Sequence, residues 1–257
     1  MNGSGQLHWT SAAHSDVGPV RSRNEDAFLD LPERGLWAVA DGMGGHAFGH
    51  VASSRVVDAL AAPALPDDSM AALAAATHAR VAQVNHALRQ EAAARGVRVM
   101  GSTVAVLLAH GAELACLWAG DSRIYRYRDA RLEQLTRDHS QAEQWRAQGG
   151  APENAPAGAS ANMITRAVGA ADSVALDQVM LVARGGDVYL LCSDGLSNPV
   201  DAPAIARTLA GGDCAQAAQA LVALAIARGG RDNITAVVVR ADDGDDDDDR
   251  TIVNPAL

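Results

Sequence analysis

A chain of 257 residues that is 48% hydrophobic can bury a sizeable core, and with aromatics at only 4% that core is mostly Ala, Val and Leu. All 21 basic residues are arginine, which excludes a Walker P-loop, a kinase β3 lysine, a Schiff-base enzyme and a Ser–Lys hydrolase, and the net charge of −10 argues against nucleic-acid binding. No run reaches the roughly 18 apolar residues of a membrane span, no basic-then-apolar leader opens the chain, and the scattered Cys116, Cys192 and Cys214 read as buried thiols of a cytoplasmic protein.

Apolar runs with strand character lie at Leu36–Ala40, Thr103–Ala109, Leu114–Ala119, Ile124–Tyr127, Val188–Cys192 and Ile234–Val239. Ala-rich stretches of helical composition come between them: Ala47–Ala62, closed by Pro63, and Ser69–Ala94, closed near Gly96. Asp201–Ala210 and Cys214–Arg228 form a late helical pair split by Gly211-Gly212, with Asp201 placed as a cap and Pro203 in the first turn. Thr103–Ala109 and Leu114–Ala119 are joined by a short link, and the second leads through Gly120-Asp121 into Ile124–Tyr127. Such links predict an antiparallel meander, and strands grouped away from long helices argue against a doubly wound parallel sheet. Residues 149–162, rich in Ala, Gly, Pro and Asn, are the irregular part of a mobile flap predicted over about 141–163. Residues 242–257 hold seven Asp and one Arg and are predicted as a disordered acidic tail, with Thr251 at the centre of a candidate docking or phosphorylation segment.

Five acidic clusters punctuate these elements: Arg21-Ser22-Arg23-Asn24-Glu25-Asp26, Asp41-Gly42-Met43-Gly44-Gly45-His46, Gly120-Asp121-Ser122-Arg123, Ser193-Asp194-Gly195 and Asp232-Asn233. A carboxylate at the end of a buried strand is costly unless it is paired or holds a cation. Several of them converging would repel one another without a metal. Oxygen-only ligands select Mg²⁺ or Mn²⁺ over zinc. Such a hard-cation site points to an enzyme.

Each cluster alone is an ordinary turn or cap signal. Their order, joined by Gly101-Ser102-Thr103, Leu135-Thr136-Arg137-Asp138-His139-Ser140, Ile164-Thr165-Arg166-Ala167-Val168-Gly169 and Arg231-Asp232-Asn233-Ile234-Thr235, resembles the bacterial branch of the metal-dependent PP2C-type (PPM) Ser/Thr protein phosphatases. The resemblance runs from about Thr10 to Val239. It implies an α+β fold, a β-sandwich of two antiparallel sheets flanked by helices, as one domain over 1–241. It implies hydrolysis of phosphoserine and phosphothreonine in proteins by direct attack of a metal-bridging hydroxide, the substrates being products of a Ser/Thr kinase. Asp41 would bridge two Mn²⁺ or Mg²⁺ ions, with the Gly42 carbonyl on one and Asp194 and Asp232 on the other. Glu25 and Asp26 would hold metal-bound waters, Asp121 with Asp194 a looser third ion, and Arg21 the substrate phosphate.

One position departs from the eukaryotic enzymes, where a histidine proposed as general acid directly follows the Asp-Gly. Here Met43 stands there, as in many bacterial members, and His46 is the nearest candidate donor. Its other role is to fix the glycine turn or cap the helix starting near Ala47. His46-x-x-x-His50 also has zinc-ligand spacing on a helix, but Ala47 replaces the glutamate of the metalloprotease motif. A catalytically silent binding module would be marked by a lost metal carboxylate, and Asp41, Asp194 and Asp232 are all present.

Overall fold

The computed structural model describes residues 7–43, 48–62, 66, 68–150, 163–211 and 213–244. Its strands form two antiparallel sheets. In spatial order, one consists of Leu7–Asp16 (β1), Ile234–Asp243 (β11), Val188–Cys192 (β10), Arg123–Arg128 (β7) and Arg131–Gln134 (β8). The other consists of Asp26–Leu31 (β2), Leu36–Met43 (β3), Val104–His110 (β5), Glu113–Ala119 (β6) and Asp177–Val182 (β9), with Gly101–Ser102 (β4) paired to the end of β3. Helices Gly49–Ala61 (α1) and Met70–Arg95 (α2) pack on the second sheet, and Ala202–Leu209 (α5) and Cys214–Ala227 (α6) on the first. Two short helices, Gln141–Ala147 (α3) and Asp194–Ser197 (α4), lie near the carboxylate clusters. No helix among the described residues is long and apolar enough to cross a membrane.

Each sheet is covered on both faces, which is why its inner strands read as continuous apolar runs rather than alternating ones. In β3, Trp37 and Val39 enter the core between the sheets with Leu107, Tyr189 and Val237, whereas Leu36, Ala38 and Ala40 pack under the helices with Leu60 and Leu88. With a side-chain period of two, Asp41 is the next residue on the inter-sheet face. Tyr189 and Leu191 on β10, and Val237 and Val239 on β11, occupy that same core. The sandwich therefore delivers strand ends from both sheets to one mouth.

The helix boundaries follow their capping residues. Ser69 accepts the Ala72 N–H at 3.2 Å and opens α2, which Gly96 closes at φ +67°. Asp201 accepts the Ala204 N–H at 3.1 Å to open α5. All three cysteines are free and buried.

Three expectations need correction. The β5–β6 hairpin forms, with His110 opposite Glu113, but β6 and β7 are not neighbours in a meander. Gly120-Asp121-Ser122 carries the chain from one sheet to the other. The acidic tail does not begin at 242, since Asp242 and Asp243 complete β11 opposite His8 and Leu7; residues 245–257, Thr251 among them, lie outside the described residues. The segment 141–163 opens as helix α3, capped by Ser140, and its residues 151–162 also lie outside the described set.

Candidate active site and metal centre

Asp26 and Asp41 stand directly opposite each other in the β2–β3 pair. Like charges in that position repel, and both are held firmly there. Asp41 donates its backbone N–H to Thr103 Oγ1 at 2.9 Å, and its carbonyl accepts the Thr103 N–H at 2.8 Å and the Ser102 hydroxyl at 3.0 Å. Ser102 in turn exchanges two backbone hydrogen bonds with Val168, at 2.9 and 2.8 Å. The Gly-Ser-Thr motif at 101–103 and the segment around Val168 thus fix the backbone of Asp41. Asp26 Oδ2 accepts the hydroxyls of Ser193 and Thr235, each at 2.7 Å, from the ends of β10 and β11.

The other acidic residues approach from turns. Asp194 opens α4 and accepts the Asn198 amide at 3.2 Å on Oδ2. Asp121 comes from the crossing between the sheets and is 7% exposed. Asp232 is the most open, and its oxygens accept Arg21 Nη2 at 2.7 Å and the Asn233 N–H at 2.9 Å. Glu25 is tied by its backbone, donating to Asn233 Oδ1 at 2.9 Å and accepting the Gly42 N–H at 3.1 Å. Gly42 is required by close approach: a Cβ there would lie 2.1 Å from the Gly49 carbonyl oxygen and 2.7 Å from that of Glu25. A Cβ on Gly49 would in turn strike the Glu25 carboxylate at 2.7 Å. Strand end, Glu25 and the first turn of α1 therefore leave no room for a side chain.

The electrostatics are those of an acidic pit. Burial, then the charges of Asp26, Asp194, Asp121 and Asp232, hold the Asp41 carboxyl well above the usual carboxylate range. Burial pushes Asp26 up to about 7 against the hydrogen bonds from Thr235 and Ser193. It pushes Asp121 up to about 7 as well, with the charge of Asp194 adding to it, and it raises Asp194, with the nearby charge of Asp232 as the second cause. Three buried oxygens, Asp26 Oδ1, Asp121 Oδ1 and Asp194 Oδ1, accept no hydrogen bond from the protein. Buried carboxylate oxygens without donors are rare unless something else meets them. Hard oxygen donors in an acidic pit fit a divalent cation such as Mg²⁺ or Mn²⁺. The ring is open: among the described residues no three His, Cys, Asp or Glu side chains are already drawn into a single cation-holding group.

The residues singled out in the sequence do not all behave alike. Asp26, Asp41, Asp121, Asp194 and Asp232 share one site, with Glu25 and Gly42 behind it. Arg21 lies on Asp232 rather than free, but that pair is 53% and 39% exposed, and such pairs are worth about 0–1 kcal/mol, so a phosphate can take the guanidinium over. Arg21, Ser22, Asp194, Asn198, Arg231 and Asp232 line an open cleft of about 720 Å³. His46 lies outside the described residues, and His50 meets the Arg23 guanidinium at 3.1 Å. Ser193, Thr235, Ser102, Thr103 and Asn233 have roles the sequence reading did not give them. Their signal was present: Ser193, Asn233 and Thr235 share motifs with Asp194 and Asp232, and Ser102 and Thr103 form the Gly-Ser-Thr motif itself.

The protein phosphatase 2C family model matches residues 12–223. The chain belongs to that family. It is 38% identical to the serine/threonine protein phosphatase PstP of Mycobacterium tuberculosis over 95% of its length, and spans about half the length of that relative (50%). To the protein phosphatase PhpP of Streptococcus pneumoniae it is 33% identical, over 90% of this chain and 97% of that one. Among solved structures, PppA of Pseudomonas aeruginosa, described as a key regulatory component of T6SS, superimposes with a TM-score of 0.85 at 45% identity, over 92% of this chain and 99% of that one. The catalytic domain of PstP in complex with two manganese ions superimposes with a TM-score of 0.79 at 38% identity, covering 92% and 100% of the two chains. The two antiparallel sheets with flanking helices are the architecture of these family members.

Proposed function

We propose that this PP2C-family chain hydrolyses phosphoserine and phosphothreonine in proteins, using two Mn²⁺ or Mg²⁺ ions, with a third at a looser site. The observation that carries this reading is the set of buried, donorless oxygens on Asp26, Asp121 and Asp194 beside the crowded Asp41. Asp41, Asp194 and Asp232, with the Gly42 carbonyl, would hold the two ions, Asp121 with Asp194 the third, and Glu25 and Asp26 would orient bound water. Such ions supply charge neutralisation for the phosphate and a water acidic enough to react at neutral pH.

The remaining work falls to the chain's own groups. Ser193 and Thr235 occupy one oxygen of Asp26, leaving the other to accept a water proton and fix that water's direction. Thr103 and Ser102 lock the Asp41 backbone so that its carboxylate does not reorganise during reaction. Arg21, released from Asp232, grips a phosphate oxygen pair across the cleft. Met43 pairs with Gly101 and has no proton to give, so the donor to the leaving oxygen is another group, and His46 is the nearest in sequence. The substrates are phosphoproteins of a Ser/Thr kinase, the setting is cytoplasmic, and the part of the 242–257 tail beyond the end of β11 is a docking segment for a partner.

The test is release of phosphate from a phosphothreonine peptide with Mn²⁺, with and without chelator, for wild type and Asp194→Asn. Turnover should need the metal and should collapse in the variant. Chelator-resistant activity, or a variant as active as wild type, would overturn the proposal.

A further inference from the structure

The triplet Asp138-His139-Ser140 binds neither phosphate nor cation in the proposed reaction, yet every one of its side chains is engaged. Asp138 accepts Arg123 Nε at 3.0 and 3.1 Å and Nη2 at 2.7 Å, which fixes the start of β7. Ser140 caps α3 by accepting the Glu143 N–H at 3.3 Å, and it bridges to Ile164. His139 lies between them, 9% exposed, its ring stacked on Trp118 with centroids 6.3 Å apart and planes 12° apart.

The contacts of His139 determine its protonation. Its backbone N–H donates to the Gly120 carbonyl at 2.8 Å, and the Gly120 N–H donates to Nδ1 of the ring at 3.1 Å. A backbone N–H can only donate, so Nδ1 is the bare nitrogen and the ring proton sits on Nε2. There Asp177 Oδ2 accepts it at 3.1 Å, and Asp177 is itself oriented by Arg166. The His139 carbonyl accepts the Thr165 N–H at 2.7 Å.

Gly120 is where these bonds matter. The β5–β6 ladder ends at Ala119, so the polar groups of the next residue need partners from outside the sheet. Gly120 turns at φ +118°, and a Cβ there would lie 2.6 Å from Thr103, so neither another residue nor another path fits. The residue that follows is Asp121, with its buried and donorless Oδ1.

We propose that His139 is the positioning residue for Asp121. By engaging both backbone polar groups of Gly120, it sets the turn that aims the Asp121 carboxylate into the cation site. Through Thr165 and Ser140 it ties that turn to both ends of the 141–163 segment. This rests on the reading of Asp121 as a cation ligand.

Two measurements test it. In the metal-free wild type, two-bond ¹H–¹⁵N spectra should show the His139 proton on Nε2, and the Gly120 amide should exchange slowly. A proton on Nδ1, or a fast-exchanging Gly120 amide, overturns the proposal without any variant. Mn²⁺ binding is then followed by calorimetry for wild type, His139→Phe, His139→Asn and Asp121→Asn. Phe keeps the ring against Trp118 and removes the acceptor, whereas the Asn carbonyl can replace Nδ1 toward Gly120. The weakest Mn²⁺ step should loosen about tenfold or more in His139→Phe, as when an outer-sphere partner is lost, and should recover in His139→Asn. Wild-type binding by His139→Phe, or no recovery in His139→Asn, overturns the proposal alone. Wild-type binding by Asp121→Asn overturns the reading of Asp121 and the proposal with it.

Discussion

One aspartate lies just before strand β10 and another just beyond its far end, and the two behave in opposite ways. Asp187 precedes Val188 and is 1% exposed, yet it is fully provided for. Its oxygens accept Arg128 Nε and Nη2, each at 2.5 Å, the Tyr189 hydroxyl at 2.8 Å and the Arg184 N–H at 2.9 Å. Burial alone would raise its pKa, but the bonds from Arg128, Arg184 and Tyr189 hold it below the usual range. Asp194 follows Cys192 at the other end, where burial and Asp232 raise it and one oxygen has no donor. The difference teaches that burial by itself does not mark a functional carboxylate. A structural aspartate brings its cation and donors from the chain, and the site's aspartates leave theirs to be supplied.

That contrast can be broken most severely at the site. Asp41→Asn should lower Mn²⁺-dependent turnover on the order of 10³-fold, the loss of several kcal/mol of charge stabilisation, while raising the thermal midpoint of the metal-free protein by relieving a crowded buried charge. Phosphatase assays and melting curves in chelator check both parts, and a lower midpoint would mean that Asp41 is balanced by the chain as Asp187 is.

At the far end of β10 the expectation reverses. Asp187→Asn should leave turnover near wild type and cost about 3 kcal/mol of stability, because it strands Arg128 and removes a buried pair. Its pH dependence has a definite sign. A folded pKa below the unfolded value of about 3.9 means that Asp187 stabilises fully above that pH and loses its contribution as pH falls through the folded value. Urea unfolding across the acid range should therefore show a shallower acid limb in Asp187→Asn than in wild type. Identical limbs would remove Asp187 as the cause.

A smaller effect sharpens the comparison from the backbone side. Gly42→Ala drives a Cβ against the Gly49 carbonyl and should destabilise by about 2 kcal/mol, as overpacking does. It should also weaken Mn²⁺ binding, because strand end and α1 must part next to Asp41. Unchanged calorimetric affinity would separate the glycine's packing role from any ligand role.

Much of this was legible before the fold was known, and the omissions share a cause. The six apolar runs became β3, β5, β6, β7, β10 and β11, all interior strands covered on both faces. Of the strands not foreseen, β4 is a two-residue addition to the end of β3, and β1, β2, β8 and β9 are the edges of the two sheets. An edge strand has one open side, so Arg131–Gln134 can be polar and Asp177–Val182 can leave Met180 and Val182 exposed at 47% and 63%. Their composition does not announce them. The β6–β7 link was misread for a related reason: a short connection looks the same whether its strands pair or lie in facing sheets.

The order and chemistry of the motifs by themselves determined the family and the acidic residues of the site, because each motif is local and its residue types are dictated by what an oxygen site and a tight turn require. The capping residue Asp201 was likewise local and stood where expected. Only the tertiary structure decided that Asp26 faces Asp41, that hydroxyls at the ends of β10 and β11 hold Asp26, that His139 grips the turn before Asp121, and that Arg128, Tyr189 and Arg184 together satisfy Asp187. Each of those facts depends on a partner distant in the chain, from 15 residues between the two facing aspartates to 209 between Asp26 and Thr235. Register and sheet crossing set them, and neither is written in any single segment.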